Sequence, residues 1–451
     1  MTRFDKKYKY EQKLAEAKSL FAKGKVTKAE KILRECFGYF DDEHLISNKL
    51  DTITNLINLY IKLEDFERVD SFIIEYESES KEHKIEIPLE IFHNLGKYFS
   101  KKGDVKRSIA YYEKAVLNKD PLQAAKSHFS LGQQLQRIGQ FDCAARAFII
   151  SRDIFLKYNR SDLSINPFQA LTAMLMKLRG GSIPIDLNLM EFVLENSTFP
   201  KSPNLAKTYI NVGLIFQITE NYQKAIYYLK KAIEISVEIK NNDTLFHAYL
   251  NLGFVYITLS KYPEAKNNIE KALNYFRKKK NTEFVAKAYN GLALIYKESG
   301  ELDISFSFIN KSIEISKEII DFELHLRNNE ILADLYKKKK EFEKSFLVYI
   351  QILKIYKKSF DRSDLLGLKQ IFREQFSRIL SILKNLNALL NSQDLTIQSE
   401  VLEDVKDDVV NICRTGVSKE ILEDSEKIQL KEQVIELIAF INKKDKEKLE
   451  N

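Results

Sequence analysis

Residues 209–232 begin Tyr209-Ile210-Asn211-Val212-Gly213-Leu214-Ile215-Phe216, break at Thr219-Glu220-Asn221, and continue with Tyr222, Ala225, Leu229 and Ala232. Tyr209, Val212, Gly213 and Phe216 fall at i, i+3, i+4 and i+7, one stripe of an α-helix. The set from Tyr222 to Ala232 keeps helical spacing on a second helix. Gly213 and Ala225 are small, as two closely approaching helices require, and Phe216, Tyr222 and Leu229 are expected to fill the space between hairpins. Forty residues on, the unit returns as Tyr249, Leu252, Gly253, Tyr256, Tyr262, Ala265, Ile269 and Ala272. It returns again as Tyr289, Leu292, Ala293, Tyr296, Leu302, Ser305, Ile309 and Ser312.

Working outward, the tight-packing position recurs at Ala17, Ile57, Gly96, Gly132, Ala173, Gly213, Gly253, Ala293 and Ala333. A fixed period of this size predicts an all-α solenoid of about nine helix hairpins, each packing only on its neighbours. Such a chain escapes the size at which one globular core splits. Gly24, Gly103, Gly139, Gly180 and Gly300 fall at the turn inside a hairpin, where a positive-φ residue ends the first helix. Pro88, Pro121, Pro167, Pro184, Pro200, Pro203 and Pro263 are expected just before or in the first turn of a helix.

Composition excludes several classes. The 71 basic residues face 64 acidic ones, a net charge of +7 that is mild for a nucleic-acid binder. Cys36, Cys143 and Cys413 lie far apart without metal spacing and read as buried thiols in a reducing compartment. The start, Met1 to Tyr8, has no apolar stretch of the signal-peptide kind. No run approaches the length of a membrane span. No phosphate loop, zinc-protease or nucleophile-elbow motif occurs. The histidines His44, His83, His93, His128, His247 and His325 show no ligand spacing. The expectation is therefore a non-enzyme with no cofactor and no metal.

The order aromatic, Leu, Gly or Ala, Tyr, turn Gly, aromatic, Ala, aromatic, Ala resembles the tetratricopeptide (TPR) family over roughly residues 8–358, in a longer variant of about 40 residues per repeat. The resemblance implies a right-handed superhelix, with first helices lining a concave groove. In the longer variants an asparagine one place before the Leu or Val that precedes the small residue points into that groove and bonds an extended peptide. Asn55, Asn94, Asn211 and Asn251 match that place, and Asn290 sits one residue earlier in its unit. Lys207, His247, Lys287 and Arg327 share one position of successive first helices, a basic strip suited to an acidic protein segment. Of the five-residue clamp some members use for a terminal carboxylate, Asn58, Asn94 and Lys126 match, but Thr54 and Ser130 stand where Lys and Arg are needed, so that clamp is not expected.

The pattern divides the chain into repeats 1–4 over 8–160, a degenerate repeat over 161–203 read as a possible hinge, regular repeats over 204–360, a capping or coiled-coil helix over 361–392, and an acidic helical tail over 393–451. Met174, Met176 and Met190 crowd the degenerate repeat. Beyond Phe360 a heptad runs Leu365, Leu368, Phe372, Ile379, Ile382, Leu386 and Leu389, which suits an end cap or, alternatively, pairing of two chains through 365–390. Glu400, Glu403, Asp404, Asp407 and Asp408 make the tail acidic, able to dock in a basic groove. Basic runs at 277–280 and 337–340 suit the carbonyl ends of helices. The reading is a cytoplasmic scaffold or adaptor that binds a protein segment and supports assembly of a complex, with peripheral association at the inner membrane left open and no nucleic-acid partner. Two alternatives stand beside it: a peptide-sensing regulator, and a structural part of an envelope-associated machine such as a flagellar motor collar.

Overall fold

A computed structural model describes residues 3–85, 89–177, 190–191, 194–195, 199–317, 321–362, 365–391, 399–418, 422 and 424–449, with the backbone alone at 3, 90, 176–177, 362, 365–374, 399–401, 418 and 444–449. The described residues form twenty α-helices and no strand. The chain divides into two compact units, Met1–Ala170 and Leu171–Asn451. Gly180, Pro88, Pro184 and most of the break between 178 and 198 lie outside the described residues.

The first unit runs α1 (Arg3–Ala22), α2 (Val26–Asp42), α3 (Ile46–Leu63), α4 (Phe66–Glu82), α5 (Leu89–Lys102), α6 (Val105–Ala115), α7 (Pro121–Arg137), α8 (Phe141–Lys157) and the start of α9 (Ser161–Lys177). In the second unit come α10 (Pro203–Ile218), α11 (Tyr222–Glu238), α12 (Asn242–Thr258), α13 (Tyr262–Lys278), α14 (Thr282–Glu298), α15 (Leu302–Ser316), α16 (Phe322–Lys338), α17 (Phe342–Arg362), α18 (Leu365–Leu390), α19 (Ser399–Ser418) and α20 (Asp424–Leu449).

The turns account for the spacing. From α10 to α17 a helix starts about every twenty residues, and every link but that between α15 and α16 is the same three-residue turn. One residue adopts left-handed φ, as at Glu220 (60°), Lys240 (54°), Ser260 (56°), Lys280 (55°), Gly300 (82°) and Lys340 (62°). The next residue donates its N–H to the carbonyl five places back, as Asn221 does to Phe216 at 2.8 Å and Asn281 does to Phe276 at 3.0 Å. This arrangement satisfies the orphan carbonyls of the helix end. The same residue then caps the next helix: the side chains of Asn221, Asn241 and Asn281 accept from Lys224, Thr244 and Phe284 N–H groups. Pro121 and Pro203 open their helices as expected. Pro167 does not, because α9 already begins at Ser161 and the proline lies inside it. Its missing N–H removes one bond of the helical ladder.

The small residues permit the close approach read from the pattern. A methyl group on Gly253 would lie 2.5 Å from Ile269 Cγ1, and one on Gly213 would lie 2.9 Å from Leu229 Cγ. Aromatics pack both between hairpins, as Phe276 on Phe284 at 4.6 Å and Phe306 against Tyr336 at 5.1 Å, and within them. Phe216 stacks on Tyr228 at 5.5 Å, Tyr296 on Phe308 at 5.6 Å and Phe99 on Tyr111 at 5.2 Å, each pair twelve residues apart.

At the end of the second unit α16 to α20 share one core. Ile379, Ile382, Leu386 and Leu389 of α18 are buried there, so this part of the stripe packs against the chain's own helices, while the side chains of Leu365, Leu368 and Phe372 lie outside the described ones. The acidic tail meets α17, where Lys357 Nζ lies 2.6 Å from Asp408 and Lys354 3.7 Å from Asp404.

Candidate functional site

Lys207, His247, Lys287 and Arg327 occupy the same turn of α10, α12, α14 and α16. Burial pushes the His247 imidazole down to about 4, Lys287 and Lys207 push in the same direction, and Glu283 opposes them. The ring is neutral at neutral pH and rests on Phe284 at 4.8 Å. Lys207 and Lys287 stand at the same turn of the first helices on either side of His247.

This row is less basic than the spacing suggests. Lys287 Nζ pairs with Glu283 at 2.5 Å and with Asp321 at 3.1 Å. Burial disfavours its charge, but the two carboxylates outweigh burial and raise its pKa. Arg327 Nε donates to Glu323 at 2.8 Å, and Glu323 also receives Arg378 of α18 at 3.1 Å. An acid one turn before each cation, Glu283 or Glu323, is the reason. Lys207 has Pro203 at that place and is exposed.

The asparagines separate into two groups. Asn251 Nδ2 donates to the His247 carbonyl at 2.9 Å and Asn55 Nδ2 to the Asp51 carbonyl at 2.6 Å, so each folds back on its own helix while half-exposed. Asn94 is likewise half-buried on α5. Asn211 and Asn290 do not face an open groove. Asn211 is 8% exposed and donates to Thr172 at 3.3 Å. Asn290 is 1% exposed and donates to Asn328 Oδ1 at 2.8 Å, which also receives Ser312 Oγ at 2.9 Å. Buried amides need internal partners, and packing supplied them here.

In the first unit His93 of α5 makes a contact with α7 that its spacing did not suggest. His93 Nδ1 lies 2.9 Å from Ser127 Oγ. Burial lowers its pKa to about 4, with Lys97 and Lys126 adding to the effect. Both lysines are exposed.

Asp41, Glu75 and Glu79 bring three carboxylate oxygens within 4.8 Å of one another, as a cation site would. The ammonium of Lys49 fills that place, at 2.6, 3.0 and 2.6 Å from them. Of the thiols, Cys36 is buried, with burial raising its pKa to about 11, Cys413 is half-buried, and Cys143 is exposed at the start of α8, against expectation. No helix among the described residues is long and apolar enough to cross a membrane.

With this geometry in hand, comparison with known proteins decides the repeat type. Tetratricopeptide repeat models match residues 244–318, 89–119 and 206–236. The chain carries tetratricopeptide repeats. No curated protein matches it. Among solved structures, a signal-transduction ATPase with a tetratricopeptide repeat sensor from Pyrococcus horikoshii is 15% identical, over 77% of this chain and 54% of that one, with TM-score 0.46. The apo form of RapI is 15% identical over 96% and 98%, with TM-score 0.39. MamA from Desulfovibrio magneticus RS-1 is 17% identical over 42% and 96%, with TM-score 0.33. At these levels none bears on what this chain binds.

Proposed function

We propose that the chain is a non-catalytic scaffold that holds a segment of a partner protein along the first-helix face of its second unit. The observation that carries this reading is the placement of Lys207, His247 and Asn251 on adjacent tetratricopeptide hairpins. Tetratricopeptide repeats generally mediate protein–protein interaction. The exposed Lys207 ammonium favours an acidic group on the segment. Asn251 keeps its carbonyl oxygen toward a peptide N–H, and Asn55 and Asn94 extend the same provision to the first unit. Lys287 and Arg327, already paired, act as positioning groups for Phe284 and Glu323.

The test is crosslinking capture from native cells with the wild-type chain and with Lys207→Glu/Asn251→Ala. Loss of the same partner bands with the variant supports the reading. Unchanged recovery of those bands sinks it.

A further inference from the structure

In the second unit the first-helix face carries a second row of side chains. Leu214, Phe254 and Leu294 stand at one position of α10, α12 and α14, each seven places after Lys207, His247 or Lys287. Residues at i and i+7 share one face of a helix. The packing agrees with that register. The His247 ring rests on Phe284 of α14 at 4.8 Å, and a methyl group on Gly291, seven places after Phe284, would lie 3.3 Å from Phe254 Cε1. The apolar row is half-buried, and Ile218 and Ile257, one turn further on, widen it, Ile218 with 41% of its surface exposed.

Past α14 the face changes character. Asp334 of α16 takes the place of Leu294, and it receives Lys297 of α14 at 3.0 Å and the Tyr349 hydroxyl at 3.3 Å. Lys338 donates to the Lys297 carbonyl at 3.2 Å, and Arg378 meets Glu330 at 2.7 Å. Polar groups there are committed to one another. On α10 and α12 the face instead presents apolar side chains, with the exposed Lys207 two turns away from Leu214.

We propose that the face of α10 and α12 seats an amphipathic helix of a partner protein, its apolar stripe on Leu214, Ile218, Phe254 and Ile257 and a carboxylate about two turns away opposite Lys207. This rests on the scaffold reading and names the form of the segment it holds. The amides decide for a helix over an extended strand. An extended backbone needs a partner for each N–H and C=O. Of the three asparagines placed to supply them in this unit, Asn211 donates to Thr172, Asn290 to Asn328 Oδ1 and Asn251 to the carbonyl of His247. A helix bonds its own backbone and asks the surface only for apolar contact along one stripe and a cation for its acid.

The experiment selects peptides on the full-length protein from two displayed libraries of equal length, one randomised freely and one with proline at every fourth position, which a helix does not accommodate. The free library is expected to enrich sequences with an apolar pair at i and i+3 or i+4 and an acid about seven residues away. The best of these, synthesised with a 13C label, should show helical chemical shifts when bound. Its affinity should fall at least about tenfold in Ile218→Glu and in Lys207→Glu. Both changes lie at exposed residues, and thermal melts verify that each variant is folded. Equal enrichment from the proline library, a bound peptide that stays non-helical, unchanged affinity in either variant, or no enrichment from either library overturns the helix. Any of these leaves the scaffold reading to the native-cell capture, which asks only whether Lys207 and Asn251 matter.

Discussion

The hydroxyl of Ser305 donates to the carbonyl of Ala293 across 2.6 Å, joining the two helices of one hairpin at their closest point. Ser345 does the same to Ala333 at 2.9 Å and Ser108 to Gly96 at 2.8 Å. In neighbouring hairpins the same place holds Ala225 or Ala265, opposite Gly213 or Gly253. Ser305→Ala should therefore lower stability by only about 1 kcal/mol, the net worth of one internal hydrogen bond. Urea denaturation followed by circular dichroism checks it, and a loss several-fold larger would mean that the serine organises more than its own hairpin.

Gly253→Ala should destabilise, although alanine is the better helix former by about 1 kcal/mol. The added methyl group would stand 2.5 Å from Ile269 Cγ1 and 3.3 Å from the Ala265 carbonyl oxygen. Ile269 is fully buried and has little room to withdraw. The expected net loss is roughly 1–3 kcal/mol, typical of overpacking. A neutral or stabilising result in thermal melts would show that the hairpin can open at this point without cost.

Lys49→Met should be among the most damaging single changes in the first unit. It leaves Asp41, Glu75 and Glu79 clustered without their cation, which is 4% exposed in the fold. Breaking such a group costs about 3 kcal/mol, at the low end for buried pairs because Asp41 is half-exposed. The three carboxylates raise the Lys49 pKa in the folded chain against the opposing effect of burial. A base raised on folding stabilises below its unfolded pKa, so the wild type should lose this contribution only in strongly alkaline solution, a loss the variant should lack. Melting curves from pH 7 to 12 for both proteins check this.

His93 and His247 make the opposite contribution. Burial lowers each to about 4 in the folded chain. A base depressed on folding leaves stability intact above its unfolded pKa and costs stability as pH falls from about 6.5 toward 4. The melting temperature should fall across that window, and His247→Gln should flatten part of the fall. An unchanged slope in the variant would show that this imidazole accepts a proton without penalty.

Much of the architecture was legible because it depends on local rules. Gly213, Gly253, Gly24, Gly103, Gly139 and Gly300 mark close approaches and left-handed turns, and those demands act within one hairpin. The position of Lys207, His247 and Lys287 on one face followed from the same period. What was not legible depends on partners in another hairpin. Asn290 looked like a groove residue, but Asn328, thirty-eight residues away, takes its amide. Lys287 looked like an open cation until Asp321, from the next hairpin, closed on it. His93 carried no spacing signal, yet Ser127 of α7, thirty-four residues away, lies 2.9 Å from its ring.

By itself the sequence determined the helices, their caps and the stacking of hairpins, because each follows from side-chain size, periodicity and backbone preference within a few tens of residues. Which polar groups face solvent was decided only by the tertiary structure. An amide or an ammonium is open or closed according to whether a distant helix brings an acid or an acceptor within about 3 Å, and no local pattern contains that distance.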